Sequence, residues 1–200
     1  MNDLYKTIAS HSKGLYKEKG SRFLAFAYPV KEEEEISEKI RVLKKEYHDA
    51  RHHCFAWRLG AEMEHYRVND DGEPPGSAGK PILGQIQSRE ITQILVVVIR
   101  YFGGTLLGVG GLINAYRSAA AAALDKAEII EKKVETPFIL EFGYNEMNEV
   151  MKVIKDFNLR AENQQFDLEC SLTIHVWNRL IPGVRDRLSK IGGCRVTQAG

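Results

Sequence analysis

One stretch, from Arg67 to Tyr116, constrains this chain more than any other part of its sequence. It opens with RVNDDGEPPGSAGKP, passes through the apolar run ILVVVI and closes with RYFGGTLLGVGGLINAY. The opening segment is rich in glycine and proline and is too long for a hairpin turn. Compact domains rarely keep irregular loops of about a dozen residues unless those loops bind something. The stretch therefore predicts a binding or catalytic site.

Two groups of residues in this stretch carry the chemistry. The first is a set of three carboxylates in the loop, Asp70, Asp71 and Glu73, which are hard oxygen ligands suited to Mg²⁺. The second is a cluster of glycines that follows the apolar strand and opens a helix, namely Gly103, Gly104, Gly108, Gly110 and Gly111. Glycines before a helix allow an anion to approach its free N–H groups closely. No cofactor is expected, although these residues would suit Mg²⁺.

Composition limits the class of protein. The formal net charge is +1, so no global field draws the chain to nucleic acid or membrane, and any basic surface must be local. The three cysteines (Cys54, Cys170, Cys194) are far apart, which excludes a disulfide framework and a zinc signature. The N-terminus has no apolar signal region, and no apolar run is long enough to span a bilayer. We expect a soluble cytoplasmic protein without membrane contact.

The first part of the chain predicts alternating strands and helices. Residues 14–30 read as a strand paired with the segment before it, and residues 32–50 as an amphipathic helix. Alternation in ARHHCFAWRLG places His53, Phe55, Trp57 and Leu59 on a core face, with His52 and Arg58 on the opposite face. In a one-sided sheet that second face would meet solvent or a ligand. Because neighbours in a strand point oppositely, His52 and His53 are not expected to share a metal ion.

The pattern continues through the glycine-rich stretch. EHYRVN predicts a short strand, ILGQIQSRE a short helix, and TQILVVVIRYF a strand that is apolar on both faces and therefore central. LINAYRSAAAAALDKA predicts a helix whose Ala119–Ala123 run permits close packing on the sheet.

A boundary is predicted near residues 132–136, dividing the α+β chain into domains 1–133 and 134–200. The second part predicts strand, helix, two strands, helix and strand, which is the ferredoxin-like βαββαβ pattern. Asn145 is the expected N-cap of its first helix, with Met147, Val150, Met151 and Ile154 on the buried face. No carboxylate cluster or glycine loop occurs there, so a recognition or packing role is expected.

Three separated motifs, HDARHHCFAWRLG, NDDGEPPGSAGKPILGQI and VVVIRYFGGTLLGVGGLINAYR, resemble in this order the signature of the IMPACT/YigZ family. The resemblance covers residues 14–127, and the second part is similar to the C-terminal domain of bacterial YigZ-type members. One departure is visible, because the family usually has G-T-A-G where this chain has Gly76-Ser77-Ala78-Gly79. Serine keeps the hydroxyl at that position.

The resemblance implies an N-terminal domain like the second domain of a small-subunit ribosomal protein and a C-terminal domain like the last domain of elongation factor G. Eukaryotic-type members are translation regulators, and for bacterial members a role in translation or nucleic-acid binding is inferred largely from fold. By resemblance, the polar signature positions are Arg51, His52, His53, Asp70, Asp71, Glu73, Lys80, Arg100 and Arg117.

The favoured hypothesis is a binding module for RNA or a ribosomal surface, with no sequence-specific contact with DNA. Tyr101 or Phe102 would stack an unpaired base beside a local basic patch formed by Arg51, Arg58, Lys80, Arg100 and Arg117. The acidic loop would repel phosphate unless it is neutralised, and Asp70 and Asp71 pairing with Arg100 or Arg51 would brace it. The candidate ligand-binding residues are Arg51, His52, His53, Arg58, Asp70, Asp71, Glu73, Ser77, Lys80, Arg100, Gly103, Gly104, Gly108, Gly110, Gly111, Asn114 and Arg117.

Two alternatives remain open. The first is a small phosphate-directed, metal-dependent enzyme, in which the carboxylates hold Mg²⁺, His52 is the general base and Ser77 the nucleophile. No G-x-S-x-G, P-loop or H-E-x-x-H pattern supports those roles, and LGVGGL lacks the Lys-Ser/Thr of a P-loop. The second is a protein–protein adaptor that uses open sheet faces.

Overall fold

The computed structural model describes residues 3–63 and 65–199, and the chain forms two compact units. The first unit is Tyr5–Lys132, and the remainder of the described chain forms the second. Each unit has its own sheet and its own hydrophobic core, so each is treated separately.

Seven strands and three helices occupy the chain as far as Lys133. In order they are β1 (Leu4–Ile8), β2 (Ser12–Glu18), β3 (Ser21–Pro29), α1 (Glu33–Glu46), β4 (His52–Leu59), β5 (His65–Asn69), α2 (Gly79–Gln87), β6 (Ile94–Tyr101), α3 (Gly108–Leu124) and β7 (Ile129–Lys133). Strands β1 and β7 form a two-stranded sheet, and the other five form an antiparallel sheet in the order β2-β3-β6-β4-β5.

Strand β6 is the centre of the five-stranded sheet, as its apolar sequence predicted. Ile94, Val96 and Val98 pack into the core beneath α2 and α3, whereas Leu95, Val97 and Ile99 pack into a second core that includes residues of α1. All six side chains are fully buried. A strand that is apolar on both sides needs a helical layer on each face, and the first unit provides both layers.

The prediction of a one-sided sheet at β4 is wrong. Cys54 and Ala56, which lie on the face assigned to solvent or ligand, are fully buried in the core that contains α2 and α3. The alternation itself is confirmed, because Phe55, Trp57 and Leu59 pack on the opposite side. Alternation separates two faces, but it does not show that a later helix covers the second one.

Residues 14–30 form two strands where the sequence predicted one. Strands β2 and β3 pair in antiparallel register from Ser12 opposite Ala27 to Glu18 opposite Ser21. The connecting turn uses two residues with positive φ, Lys19 at +45° and Gly20 at +81°. Residues 17–22, KEKGSR, contain no apolar side chain, and the alternation that predicted a strand begins only at Phe23.

The alanine run of α3 packs closely on the sheet, as predicted. Ala119, Ala120 and Ala123 are fully buried. The hydroxyl of Ser12 donates a 2.8 Å hydrogen bond to the carbonyl of Ala123, which fixes β2 beneath the helix. A Cβ added to Gly14 would lie 2.3 Å from the backbone nitrogen of Ala123. Small residues on both sides therefore set the distance between helix and sheet.

The second unit has the predicted βαββαβ order. Its elements are β8 (Glu135–Gly143), α4 (Met147–Asp156), β9 (Arg160–Phe166), β10 (Glu169–Trp177), α5 (Ile181–Ser189) and β11 (Arg195–Gln198). The antiparallel sheet has the order β11-β8-β10-β9 and is consistent with a ferredoxin-like arrangement. Both helices contribute to the core on one face of the sheet.

Two details at α4 differ from the sequence prediction. Asn145 lies inside a single 3₁₀ turn, Tyr144–Glu146, and the residue before α4 is Glu146, which makes no side-chain cap bond. Met151 is 38% exposed, and Val153 takes the expected buried place. Val150 and Ile154 are buried and Met147 packs against the core as predicted, so the buried stripe differs only in including Val153 rather than Met151. None of the helices in the described part of the chain is long and apolar enough to cross a bilayer.

The contact between Gly14 and α3 leads to the first prediction. Gly14→Ala forces β2 or α3 to shift, and we expect the free energy of unfolding in urea to fall by about 1–3 kcal/mol. Gly84→Ala is the matched control, because nothing lies within 4 Å of the added Cβ in α2. Alanine favours a helix interior, so this control should gain up to about 1 kcal/mol. Equal stability of the two variants would contradict the close packing of α3 on β2.

Candidate functional site

Asp70 organises the acidic loop, residues 70–78, between β5 and α2. One carboxylate oxygen accepts hydrogen bonds from the backbone N–H groups of Ala78 (3.0 Å) and Gly79 (2.8 Å), and the other accepts one from Gly76 (2.8 Å). Ala78 and Gly79 begin α2, where backbone N–H groups have no partner within the helix. Asp70 thus caps α2 from a distant position and folds the loop back on itself.

The pKa of Asp70 reflects these contacts. Burial by itself raises the pKa of the carboxyl, but the N–H donors of Gly76, Gly79 and Ala78, with the charge of Lys80, outweigh burial. The net result is a pKa below the ordinary value, so Asp70 is ionised at neutral pH. The carboxylate acts as a structural acceptor within the loop.

Asp71 joins the acidic loop to the start of β4. Its Oδ2 accepts a 2.7 Å hydrogen bond from the backbone N–H of His53, and its Oδ1 lies 3.2 Å from Nζ of Lys44 on α1. Its backbone carbonyl accepts a hydrogen bond from Nδ1 of His52 at 2.9 Å, which requires the proton on Nδ1 and leaves Nε2 of a neutral ring as an acceptor. Burial lowers the pKa of His53, although Asp71 opposes that shift.

Glu73 turns inward and forms a buried ion pair. Its Oε1 lies 2.7 Å from a terminal nitrogen of Arg100, at the end of β6, and accepts a 2.7 Å hydrogen bond from the hydroxyl of Tyr116 on α3. The side chains of Arg100 and Glu73 are only 7% and 4% exposed. One carboxylate therefore joins the acidic loop, the central strand and α3.

The buried contacts extend to Cys54. The thiol donates toward the backbone carbonyl of Asp70 (3.0 Å) and lies 3.3 Å from the hydroxyl of Tyr116. Burial raises the pKa of both the Cys54 thiol and the Tyr116 hydroxyl, so both remain protonated donors. Cys54 is thus a packed, unreactive thiol rather than a nucleophile.

Arg100 also supports an exposed aromatic ring. Its guanidinium lies 5.5 Å from the ring centroid of Phe23 and 5.6 Å from that of Phe102. Phe23 is fully buried, whereas Phe102 is 56% exposed. The Nε of Arg100 is buried and has no hydrogen-bond partner among the described residues. Arg100 therefore connects the buried ion pair to the surface at the end of the sheet.

The glycine cluster divides into two parts. Gly103 and Gly104 lie in the loop after β6, and a Cβ on Gly103 would lie 1.9 Å from the backbone carbon of Gly20. Gly108, Gly110 and Gly111 lie within the first turn of α3, which begins four residues before the predicted start. The residue before α3, Leu107, makes no side-chain cap bond. Gly103 therefore permits a close backbone contact with Gly20, and Gly108, Gly110 and Gly111 leave the first turn of α3 with few side chains.

The remaining candidate residues are only partly brought together. Arg51, Lys80, Asn114 and Arg117 are exposed, and Asn114 accepts a 3.2 Å hydrogen bond from Arg117. Arg58 lies at the opposite end of β4 from His52, roughly 20 Å away at the ordinary rise of a strand. It is half-buried and donates to the carbonyl of Met63 at 3.0 Å. Arg58 and the buried Arg100 therefore do not belong to an exposed basic patch.

The geometry gives little support to metal or nucleophilic chemistry at the acidic loop. Among residues 3–63 and 65–199, no three His, Cys, Asp or Glu side chains are close enough to hold a metal ion. The hydroxyl of Ser77 is buried and donates a 2.6 Å hydrogen bond to the carbonyl of Pro74. Ser77 thus braces the turn, and its hydroxyl lies away from solvent.

Tyr116 is the site residue that the sequence reasoning missed. It lies in the buried stripe of α3 with Leu112, Ala115 and Ala119. A tyrosine among buried alanines needs a hydrogen-bond partner for its hydroxyl, and this requirement was the available signal. Its partner, Glu73, lies 43 residues earlier in the chain, so the pairing itself could not be read from spacing.

Comparison with known proteins identifies the family of the part of the chain that contains this site. The family model described as the Impact N-terminal domain matches residues 19–124, which include the acidic loop, Arg100 and Tyr116. A Haemophilus influenzae protein described as an IMPACT family member is 32% identical over 174 residues, covering 86% of this chain and 84% of that protein.

The chain belongs to the IMPACT family.

Two further likenesses extend over both units. The Escherichia coli IMPACT family member YigZ is 37% identical over 150 residues, covering 74% of each chain. A crystal structure of a hypothetical protein is 26% identical, with a TM-score of 0.79 over 100% of this chain and 99% of that one. The family resemblance and the mixed α/β fold that the motifs predicted are therefore confirmed, and the whole candidate site lies in the family's N-terminal domain.

The lowered pKa of Asp70 leads to a prediction for this IMPACT family chain. Because the folded pKa lies below the unfolded value of about 3.9, the stabilisation is present above that value and is lost as pH falls through the folded pKa. Asp70→Asn should lower the free energy of unfolding by about 1–3 kcal/mol from pH 5 to 8, and the deficit should shrink below about pH 4.

Asp125→Asn is the control for Asp70→Asn, because the carboxylate of Asp125 makes only an exposed ion pair with Arg89. Such pairs contribute about 0–1 kcal/mol. Urea unfolding of both variants across this pH range measures the difference. A deficit for Asp70→Asn that persists unchanged at low pH would contradict the role of its charge.

The buried ion pair leads to a second prediction at this site. Glu73→Ala leaves Arg100 charged and unpaired, and we expect a loss of about 3–5 kcal/mol in the free energy of unfolding. Tyr116→Phe removes only one hydroxyl and should cost about 1–3 kcal/mol. Glu90→Ala removes the exposed pair with Lys6 and should change stability by less than about 1 kcal/mol. If chemical denaturation gives the same loss in the free energy of unfolding for Glu90→Ala and Glu73→Ala, the buried ion pair does not contribute more to stability than the exposed one.

Proposed function

We propose that this chain is a binding protein that acts in translation by contacting RNA on the ribosome. The contact is made at the end of the five-stranded sheet where β4 begins and β6 ends, called here the loop end. The translation role is supported by family membership, because the eukaryotic-type members that the sequence resembles are translation regulators. The RNA contact rests on the geometry of Phe102.

Phe102 is the observation that carries the proposal. Its ring is 56% exposed, and the guanidinium of Arg100 lies 5.6 Å from its centroid. Glu73 and Tyr116 hold Arg100 in place, so the ring is supported before any partner arrives. An aromatic ring that is held on one side and open on the other suits stacking by an unpaired base. Tyr101 is less suitable, because it is half-buried and its hydroxyl donates to Asp49.

The charges at the loop end also favour an anionic partner. Arg22 and Arg51 are exposed there, and the start of α3 is open and uncapped. The acidic loop does not oppose this, because Asp70 is bound by backbone N–H groups, Glu73 is paired with Arg100 and Asp71 lies 3.2 Å from Lys44. Each carboxylate of the acidic loop is therefore bound by a cation or by backbone N–H donors within the first unit, which reduces its repulsion of phosphate.

Co-sedimentation with ribosomes across a salt gradient tests the proposal. Phe102→Ala should weaken association by roughly 5- to 100-fold, the loss of one stacked base, at every salt concentration. Arg51→Ala should weaken it mainly at low salt and reduce the salt slope. Both residues are exposed, so neither variant should alter folding.

Leu106→Ala is the matched control, because Leu106 is 85% exposed in the same loop but has no ring to stack. It should leave ribosome association within about twofold of wild type, since stacking needs an aromatic face. An equal loss for Leu106→Ala and Phe102→Ala would overturn base stacking and favour an apolar protein contact. No association by the wild-type chain at any salt concentration would overturn the proposed function.

A further inference from the structure

The second unit carries two cations on a single aromatic ring. Nζ of Lys133 lies 4.6 Å from the ring centroid of Trp177, and the guanidinium carbon of Arg179 lies 4.2 Å from the same centroid. Both cations are on exposed residues, whereas the ring is half-buried. A ring face attracts one cation, but two cations on one ring also repel each other. An anion that binds beside the ring would reduce this repulsion.

The ring is held rigidly by the surrounding backbone. The indole Nε1–H of Trp177 donates a 3.1 Å hydrogen bond to the carbonyl of Asp3, which also accepts one from Val134 (2.9 Å). The backbone N–H of Asn178 in turn donates to the carbonyl of Val134 at 3.0 Å, and its side chain accepts from the hydroxyl of Thr136 at 2.7 Å. Three chain segments therefore fix the position of the indole, and the two cations are presented on a defined support.

Apart from Glu169 at the start of β10, which has no ion-pair partner among the described residues, the other charges on this side of the sheet are already paired. Arg160 contacts Glu135 and Glu162, His175 contacts Glu162, and Arg195 contacts Glu141. Within the described chain, neither Lys133 nor Arg179 has a carboxylate within ion-pair distance. The nearest acidic side chain in the sheet register, Glu135 opposite Trp177, is engaged by Arg160. Lys133 and Arg179 are thus the cations that remain available for a partner.

The sheet face beside this pair suits an extended polar chain. Ser171, Thr173 and His175 alternate along β10 on the face opposite the helices, between Trp177 at one end and the carboxylate of Glu169 at the other. At the Glu169 end lies an open depression of about 770 Å³, whose lining includes Glu141, Glu169 and Arg195, so the neutral row ends at Ser171. A single polynucleotide strand needs cations for its phosphates and neutral hydrogen-bonding groups for its sugars and bases. An acidic protein would gain little from the neutral row.

We propose that Lys133 and Arg179, held on Trp177, form a phosphate-contacting site for single-stranded RNA that continues along β10. This inference rests on the proposed function, because it assigns to the second unit a contact with the same class of ligand. Lysine supplies a compact positive charge, and arginine supplies two parallel N–H donors. Both side chains commonly bind phosphate groups in proteins.

The test uses the full chain, a labelled oligouridylate of about twelve nucleotides and the double variant Lys133→Gln with Arg179→Gln. Two lost phosphate contacts should reduce the slope of log Kobs against log salt by about 1 to 1.5, and weaken binding on the order of tenfold at about 0.1 M salt. Lys152→Gln with Lys155→Gln removes the same charge from exposed positions of α4 and should leave the slope unchanged. An equal change in both double variants would overturn the site.

The indole N–H signals in a ¹⁵N-correlated NMR spectrum provide a readout that is independent of affinity. Saturating RNA should shift the signal of Trp177 and leave that of Trp57, which is buried in the first unit, in place. This inference is overturned if RNA binds without shifting the Trp177 signal. It is also overturned if the Lys133/Arg179 double variant binds RNA with the same salt dependence as wild type. Either result leaves the proposed function intact.

The reverse combination separates the two proposals. If Phe102→Ala binds RNA as wild type does while the Lys133/Arg179 variant loses slope, the stacking site fails and the second-unit site stands. Polyglutamate of equal charge is the competing probe, and it should not shift the Trp177 signal. An equal shift with polyglutamate would overturn the assignment to RNA in favour of an acidic protein partner.

Discussion

The ion pair between Glu73 and Arg100 is the interaction on which the candidate site depends. Both side chains are almost completely buried, and the carboxylate also accepts the hydroxyl of Tyr116. A buried pair of this kind persists only while its partners remain in register, since separating them leaves an uncompensated charge. The acidic loop, the end of β6 and the third turn of α3 are therefore positioned together. The same arrangement fixes Arg100 against the ring of Phe102.

Both units hold cations against aromatic rings, but the cation is paired with a carboxylate in the first unit and with no described carboxylate in the second. In the first unit, Arg100 is neutralised by Glu73 beneath Phe102, which leaves an exposed ring as the feature offered to solvent. In the second unit, Trp177 is covered by Lys133 and Arg179, which leaves exposed charge. A stacked base needs the former and a phosphate needs the latter. Under the two proposals, the first unit would contact a base of the RNA and the second unit its phosphates.

The elements with a long, consistent pattern were predictable from sequence. Strand β6 is apolar on every residue before Arg100, and only a central strand with helices on both sides satisfies that composition. The alanines of α3 and the βαββαβ order of the second unit follow from local periodicity in the same way. The 3₁₀ turn before α4 was missed because it does not interrupt the hydrophobic pattern, whereas the turn at Lys19–Gly20 lies in a wholly polar segment, residues 17–22, that the prediction of one strand passed over.

The sequence alone determined which stretch of the chain is unusual, because compact domains rarely keep an irregular loop of this length, rich in glycine and proline and carrying three carboxylates. Only the tertiary structure decided what each carboxylate does. Asp70 caps α2, Asp71 joins β4, and Glu73 is buried against Arg100. Three neighbouring acidic residues look alike in sequence, but the donors that they meet come from segments as far away as Tyr116. Hydrogen bonding and burial depend on those distant partners, and spacing along the chain carries no record of them.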